Sequence, residues 1–256
     1  MSPTVIALML TASLCAGWVD AVVGGGGLIL LSLIMILNPG FTYAQALGVN
    51  KIAAICGTGS SAIIMARRVP AARTAFRYAP LAFIGAALGA VIASSVDKDI
   101  MRPIVIVLLI AVGAFVLLRP SFGKVTVRRA VTRGRWVAAL VLITGLGLYD
   151  GAFGPGTGLF LILMIISLLG EDFVNSAAWA KILNTFTNLG ALVVSAINGD
   201  IWWLLGFGLA ATNIVGAQIG ARMVLSKGAG FVRIVLLVVV VLMAGKLALD
   251  QCGVTA

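Results

Sequence analysis

The sequence predicts an all-α polytopic membrane protein, with about eight hydrophobic segments arranged as two homologous four-segment repeats. Three observations carry this. Apolar residues make up 61% of the 256-residue chain and charged residues only 10%, with a mean hydropathy of +1.16; no soluble domain of this length could hide so much apolar side chain. The apolar runs are long and continuous rather than alternating with period two, which excludes a membrane barrel and leaves helices as the way to satisfy the backbone in lipid. Finally, a glycine-rich stretch containing an acidic residue occurs twice, at an offset of 130 residues.

The segments run over about 4–37, 44–66, 78–96, 101–118, 136–169, 176–197, 201–225 and 231–249. Six have ordinary spanning length, roughly 20 residues. The first and fifth are too long for one straight crossing, and each holds a glycine cluster near its middle: Gly24-Gly25-Gly26-Gly27 and Gly154-Pro155-Gly156-Thr157-Gly158. Glycine costs about 1 kcal/mol in a helix interior, and proline removes a donor as well. Both segments are therefore expected to be broken, as kinked crossings or as hairpins that re-enter the membrane. The chain divides into a first transmembrane repeat (1–118), a basic cytoplasmic linker (119–135) and a second repeat (136–256).

The repeat aligns Gly17, Asp20, Gly24 and Gly26 with Gly147, Asp150, Gly154 and Gly156, and Lys51-Ile52 with Lys181-Ile182. Further on, Gly85 to Gly89 matches Gly216 to Gly220 at an offset of 131. This small-xxx-small spacing reads as close helix packing. Arg102 and Arg233 precede two Val/Leu/Ile-rich spans expected to face lipid.

Charge placement sets orientation. Arg67, Arg68, Arg73 and Arg77 lie between segments two and three; six basic residues between 119 and 135 separate segments four and five; Arg222, Lys227 and Arg233 flank the link between seven and eight. All three clusters should be cytoplasmic. Segments six and seven supply two crossings, so segment five should contribute none or two, which favours a hairpin. The loop around Asp200 and the residues Asp97, Asp99 and Asp250 then fall outside, and the two halves are expected to be inverted; a parallel repeat with eight plain crossings is the alternative.

Asp20, Lys51, Asp150 and Lys181 are the charges set deepest in apolar sequence, each costing at least about 2.5–3.5 kcal/mol near a helix centre. They read either as structural Asp–Lys pairs, within or across the repeats, or as parts of a polar pathway. Asp20 and Asp150 would hold the lysines or relay protons. A broken helix presents free N–H groups at the start of its next half, where the dipole favours an anion. Gly24, Gly25, Gly26 and Gly27 offer such groups in one half, and Gly154, Gly156, Thr157 and Gly158 in the other. Around the lysines lie Asn50, Thr58, Ser60 and Ser61 in the first half and Asn184, Thr185 and Asn188 in the second, with Asn213 as a lesser candidate. Lysine with neutral Asn and Thr donors suits a small oxyanion; the competing reading is polar glue between helices. Lys246 sits near the end of the last span, where it can snorkel.

Other functions find little support. The chain has no histidine, and Cys15, Cys56 and Cys252 show no paired spacing, so no metal site and no cofactor is expected. The basic excess follows the membrane-orientation pattern, and no nucleic-acid role is expected. The N-terminus carries no basic residue ahead of its apolar stretch and is expected to be retained rather than cleaved. An intramembrane enzyme lacks a nucleophile–base pair, and no nucleotide-binding loop is present.

The motifs Gly17-x-x-Asp20-x-x-x-Gly24-Gly25-Gly26-Gly27 with Asn50-Lys51, and Asp150-Gly151-x-x-Gly154-Pro155-Gly156-Thr157-Gly158 with Lys181 and Asn184, resemble those of the sulfite exporter TauE/SafE family, also called the toluene sulfonate uptake permease superfamily. The resemblance covers about Thr4 to Leu249. It implies a multi-pass transporter of a bacterial-type plasma membrane, with a duplicated core and small sulfur-containing anions (sulfite, sulfoacetate, thiosulfate or another organosulfonate) as substrates. Ala180 stands where the first half has Asn50, so the half-sites need not be equivalent. Transport of another small anion such as a carboxylate, or a non-transporting membrane scaffold subunit, are the alternatives. Direction, a proton as coupling ion and homo-oligomer formation stay open.

Overall fold

The computed structural model describes residues 2–94, 131–154 and 156–251. The fourth apolar segment (101–118), most of the 119–135 linker, Asp97, Asp99, Arg102, Pro155 and Cys252 lie outside the described residues, as do the side chains of Arg233, Lys246 and Asp250. What is described is helix and turn, with no strand among it.

Helix α1 (Pro3–Val23) starts at Ser2, whose hydroxyl accepts from the Val5 N–H at 3.3 Å, with Pro3 at the first helical position. It ends at Gly24, left-handed at φ 79°, whose N–H donates to the Asp20 carbonyl at 2.8 Å. Helix α2 (Gly26–Leu37) runs back along α1, because Gly26 sits against Ala16 and Asp20 while Asn38 reaches Met9, 3.7 Å away. A Thr42–Gln45 capping box opens α3 (Tyr43–Arg68). The basic stretch after it, expected as a plain link, is a 3-10 helix over Pro70–Tyr78 that feeds α4 (Ala79–Ser94).

Thr132 caps α5 (Arg133–Ala152), so this helix begins inside the stretch expected as linker. Helix α6 (Thr157–Met164) continues into a π-turn, Ile165–Leu169, and folds back along α5, bringing the Ser167 carbonyl 3.3 Å from the Arg135 guanidinium. Asp172 caps α7 (Phe173–Ile197). The last stretch, α8 (Trp203–Gln251), is two helices parted at Gly228, whose φ of 66° and ψ of −161° are not helical; the break falls in the link expected between segments seven and eight. Five described stretches are long and apolar enough to cross a membrane: Pro3–Val23, Tyr43–Arg68, Pro70–Ser94, Phe173–Ile197 and Trp203–Val232.

Helices α3 and α7 meet at the centre and run antiparallel: Gly48 faces Ser195 near one end and Gly59 faces Thr185 further along. Around them, α1 lies parallel to α8, with the Ser13 hydroxyl donating to the Leu209 carbonyl at 2.7 Å and Trp18 Nε1 reaching Met223 Sδ at 3.2 Å. Helix α4 lies parallel to α5, backbone against backbone. A methyl on Gly85 would run into the Thr144 carbonyl, and one on Gly216 into the Leu14 carbonyl. Such contact suits a medium where dispersion, not water exclusion, holds helices together.

Parallel α3 and α8 bring Arg67, Arg68, Arg222 and Lys227 to one end of the bundle. Tyr78, stacked between Trp136 and Trp179 with ring centroids 5.4 and 5.8 Å away, marks the same end and carries Arg77, Arg133 and Arg135 beside it. At the other end Phe41 and Trp202 pair at 5.0 Å. Aromatic residues at both ends match the two faces of a bilayer.

Gly85→Ala and Gly216→Ala should each cost about 1–3 kcal/mol through overpacking. Gly208→Ala, where a methyl meets open space, should leave stability unchanged or slightly raised. Thermal unfolding in detergent compares the three.

Candidate functional site

Both deep lysines are used. The Lys51 ammonium reaches across to the other half and donates to Asp150 Oδ2 at 2.9 Å, to the Asp150 carbonyl at 3.0 Å and to Asn188 Oδ1 at 3.0 Å. The Lys181 ammonium does the reverse, donating to Asp20 Oδ2 at 2.9 Å and to the Asp20 carbonyl. Each lysine thus neutralises a carboxylate and bonds a backbone carbonyl in the last turn of a helix from the opposite half, where the helix dipole favours a cation. Of the pairings the sequence left open, the cross-half set is the one formed.

The two pairs differ. Lys51 has three N–H donors and three acceptors, and Asp150 is 2% exposed, its second oxygen taking the Thr157 hydroxyl at 2.9 Å. Lys181 has two acceptors among the described residues, both on Asp20, and Asp20 is 16% exposed with Oδ1 unpartnered among them. The cause is in the sequence. Thr157 corresponds to Gly27 at the 130-residue offset, and Asn188 corresponds to Thr58. Gly27 has no hydroxyl for Asp20, and the Thr58 hydroxyl turns to its own helix, 2.7 Å from the Ala54 carbonyl.

The other residues singled out from sequence scatter around these pairs. Asn188, grouped with Lys181 by helical spacing, binds Lys51 instead, because antiparallel α3 and α7 cross there; its amide also faces Thr58 Oγ1 at 3.5 Å. Thr185 donates to the Lys181 carbonyl on its own helix at 2.8 Å, and Asn184 accepts from Thr187 at 3.1 Å. Ser60 bonds the Gly57 carbonyl, Ser61 the Ala217 carbonyl, and Asn213 ties α8 to Ser13 of α1. These three are glue between or within helices. Asn50 is buried, with its Oδ1 unpartnered and its Nδ2 3.6 Å from where a Gly27 methyl would lie.

The glycines bring the two helix breaks into contact: a methyl on Gly24 would come within 2.6 Å of Gly158 Cα. Gly154, left-handed at φ 87°, lies beside the Lys51 ammonium, and Gly156, at φ 77°, precedes α6. Gly25 has open space around it. Tyr43, not singled out from the sequence, holds the tip of α5 through the Ala152 and Phe153 carbonyls, at 3.5 and 3.4 Å. The signal for it was a polar aromatic residue directly after a capping threonine. Tyr43 also lines a shallow cleft with Ser94, Ser195, Asn198 and Asp200, at the end of the bundle away from the arginines. Partial burial pushes the Asp200 carboxyl up from its ordinary value.

Two lysine–carboxylate pairs thus lie beside touching helix ends inside an apolar bundle. The sequence profile described as sulfite exporter TauE/SafE matches residues 9–247. The chain belongs to this family. It is 32% identical over 256 residues to the probable membrane transporter protein YfcA of Escherichia coli K12, covering 99% of this chain and 93% of that one. It is 34% identical over 246 residues to the probable membrane transporter protein ORF9 of a Sinorhizobium species, covering 96% and 93%. A probable membrane transporter protein of Haemophilus influenzae is 33% identical over 247 residues, covering 96% and 95%. No solved structure matches. As a TauE/SafE protein the chain is a multi-pass membrane transporter and not an enzyme.

Neutralising one partner of a buried pair strands the other. Lys51→Met should cost about 3–5 kcal/mol, and adding Asp150→Leu should recover most of it. Thermal melting of the single and double variants in detergent measures the difference.

Proposed function

We propose that this TauE/SafE transporter moves a small sulfur-containing anion (sulfite, sulfoacetate, thiosulfate or another organosulfonate) across the plasma membrane by secondary transport. The observation that carries the reading is the pair of buried lysines, Lys51 and Lys181, each bound across the halves at the touching breaks. An ammonium in that position attracts an oxyanion when its carboxylate partner moves aside, and the N-termini of α2 and α6 add partial positive charge beside it. The family's description as sulfite exporters supports sulfur oxyanions over other anions.

We further read the chain as two inverted repeats of one unit. Two features support this. Helices α3 and α7 correspond at the 130-residue offset yet run antiparallel. The packing around them is reciprocal, α1 of the first half lying on α8 of the second and α5 of the second on α4 of the first. The basic residues then face the cytoplasm and the Asp200 cleft faces outside. Alternating access moves one half against the other about the fixed site, and breaking and remaking the Lys181–Asp20 pair is the local event that such a motion requires. Energy comes from an ion gradient, with Asp20 and Asp150 as the carboxylates available to carry a coupled proton.

Purified protein in liposomes should carry sulfite and sulfoacetate with saturable flux that responds to a pH gradient. Flux for a small carboxylate but for neither sulfur anion would move the substrate to that class. Lys181→Gln should raise the half-saturating sulfite concentration about tenfold or more, the weight of a charge-assisted hydrogen bond. Single cysteines placed beside Asp200 should label from outside the cell; labelling from the cytoplasmic side alone would overturn the inverted arrangement.

A further inference from the structure

We propose that the two ion-pair sites have different roles: one compact oxyanion binds at the Lys181–Asp20 pair alone, between the N-terminus of α2, the Asn50 carboxamide and the Lys181 ammonium, while the Lys51–Asp150 pair is a fixed clasp. This rests on the anion-transport reading above and says which side of the duplicated core is the site.

At the Lys51–Asp150 pair every ammonium N–H and both carboxylate oxygens have partners among the described residues, although α6, like α2, starts without a side-chain cap. Lys51 donates three bonds, both Asp150 oxygens accept, and Thr157 fills the first turn of α6, donating to Asp150 and lying 3.1 Å from the Gly154 carbonyl. An anion entering there would have to break four bonds among buried partners.

The Lys181–Asp20 pair keeps capacity. Beside it helix α2, 12 residues long, starts with no side-chain cap, so the N–H groups of its first turn have no side-chain partner and the dipole stands behind them. Asn50 is 3% exposed, and its Oδ1 has no partner in a place where an unpaired polar atom is costly. Its Nδ2 lies against Gly27, at the start of that helix, and nothing else comes within 4 Å of a methyl built there. Lys181 keeps one N–H free of any partner among the described residues, and Asp20, which holds its other two, lies against Gly26. The start of α2 and the Asn50 carboxamide therefore flank the position that Thr157 fills in the other half, and the Lys181–Asp20 pair lies against the neighbouring Gly26. These donors suit a compact monoanion. The carboxamide offers a donor to a charged oxygen and an acceptor to a ligand O–H, so an oxyanion that keeps one proton, as hydrogensulfite does, uses both ends of Asn50.

The test uses the full-length protein, with sulfite as the probe, in two readouts: sulfite-dependent thermal stabilisation in detergent and saturable flux in liposomes. Gly27→Thr places in the first half the side chain the second half has. It should fold, since the nearest atom to its Cβ is 3.6 Å away, and should abolish the sulfite-induced shift and saturable flux. Asn50→Leu removes the unpartnered carboxamide. It should melt at or above the wild-type temperature without sulfite and need about tenfold more sulfite for the same shift, a combination that a purely structural Asn50 would not give. Gly145→Ala, in open space on α5, controls for substitution in a helix. A wild-type sulfite constant in either the Gly27→Thr or the Asn50→Leu protein overturns the assignment. Should the wild type carry no sulfite, the transport reading fails separately, and the same variants are melted with sulfate, acetate and phosphate. An anion that stabilises the wild type but not Gly27→Thr upholds the site for that anion; equal stabilisation of both, or none by any anion, overturns it.

Discussion

An ammonium group cannot rest in hydrocarbon alone, and much of this structure follows from that. Lys51 and Lys181 sit two turns into α3 and α7, the helices at the centre of the bundle. Each needs a carboxylate within reach, and each finds it in the opposite half. The carboxylates in turn sit in the last turns of α1 and α5, where their own backbone carbonyls also accept from the same ammonium. One side chain therefore settles three demands at once: its own charge, the carboxylate's charge and the end of an interrupted helix. A helix that stops inside a membrane is tolerable only when something does this.

The close approach of backbones is the second requirement, and it serves the first. The ion pairs can form only if α1 and α5 lie near enough to α7 and α3. That nearness comes from stripes of glycine and alanine, with Gly85 and Gly89 against α5 and Gly216 against α1. The break tips take the same principle further, since Gly24 and Gly158 touch Cα to Cα. Larger side chains at these places would push the halves apart and separate lysine from carboxylate.

Much of this was legible in the residues, and the limits of legibility have physical reasons. Helix, membrane and the positions of the four deep charges follow from apolar runs and the 130-residue offset, which are local or periodic signals. The partner of each lysine was not legible, because spacing along a chain says nothing about which helix faces it in space. For the same reason Asn188 was grouped with Lys181 when it serves Lys51. The break at Gly228, by contrast, was legible, because it falls in the link between two apolar runs. The inequality of the two ion pairs was likewise already written in two aligned positions, Gly27 with Thr157 and Thr58 with Asn188; only the contacts give that difference its chemical meaning.

The crossed pairing also bears on how the protein is made. Lys51 and Asp150 are separated by 99 residues, and Asp20 and Lys181 by 161. When the first half leaves the ribosome, both of its buried charges lack their partners, so it cannot settle as a finished domain in the bilayer. Asp20 and Lys51 must wait, near water or in the insertion machinery, until the second half arrives. Assembly is therefore a single event completed late in synthesis, and a chain truncated before Lys181 should be recognised by quality control through its stranded charges rather than through any loss of helix.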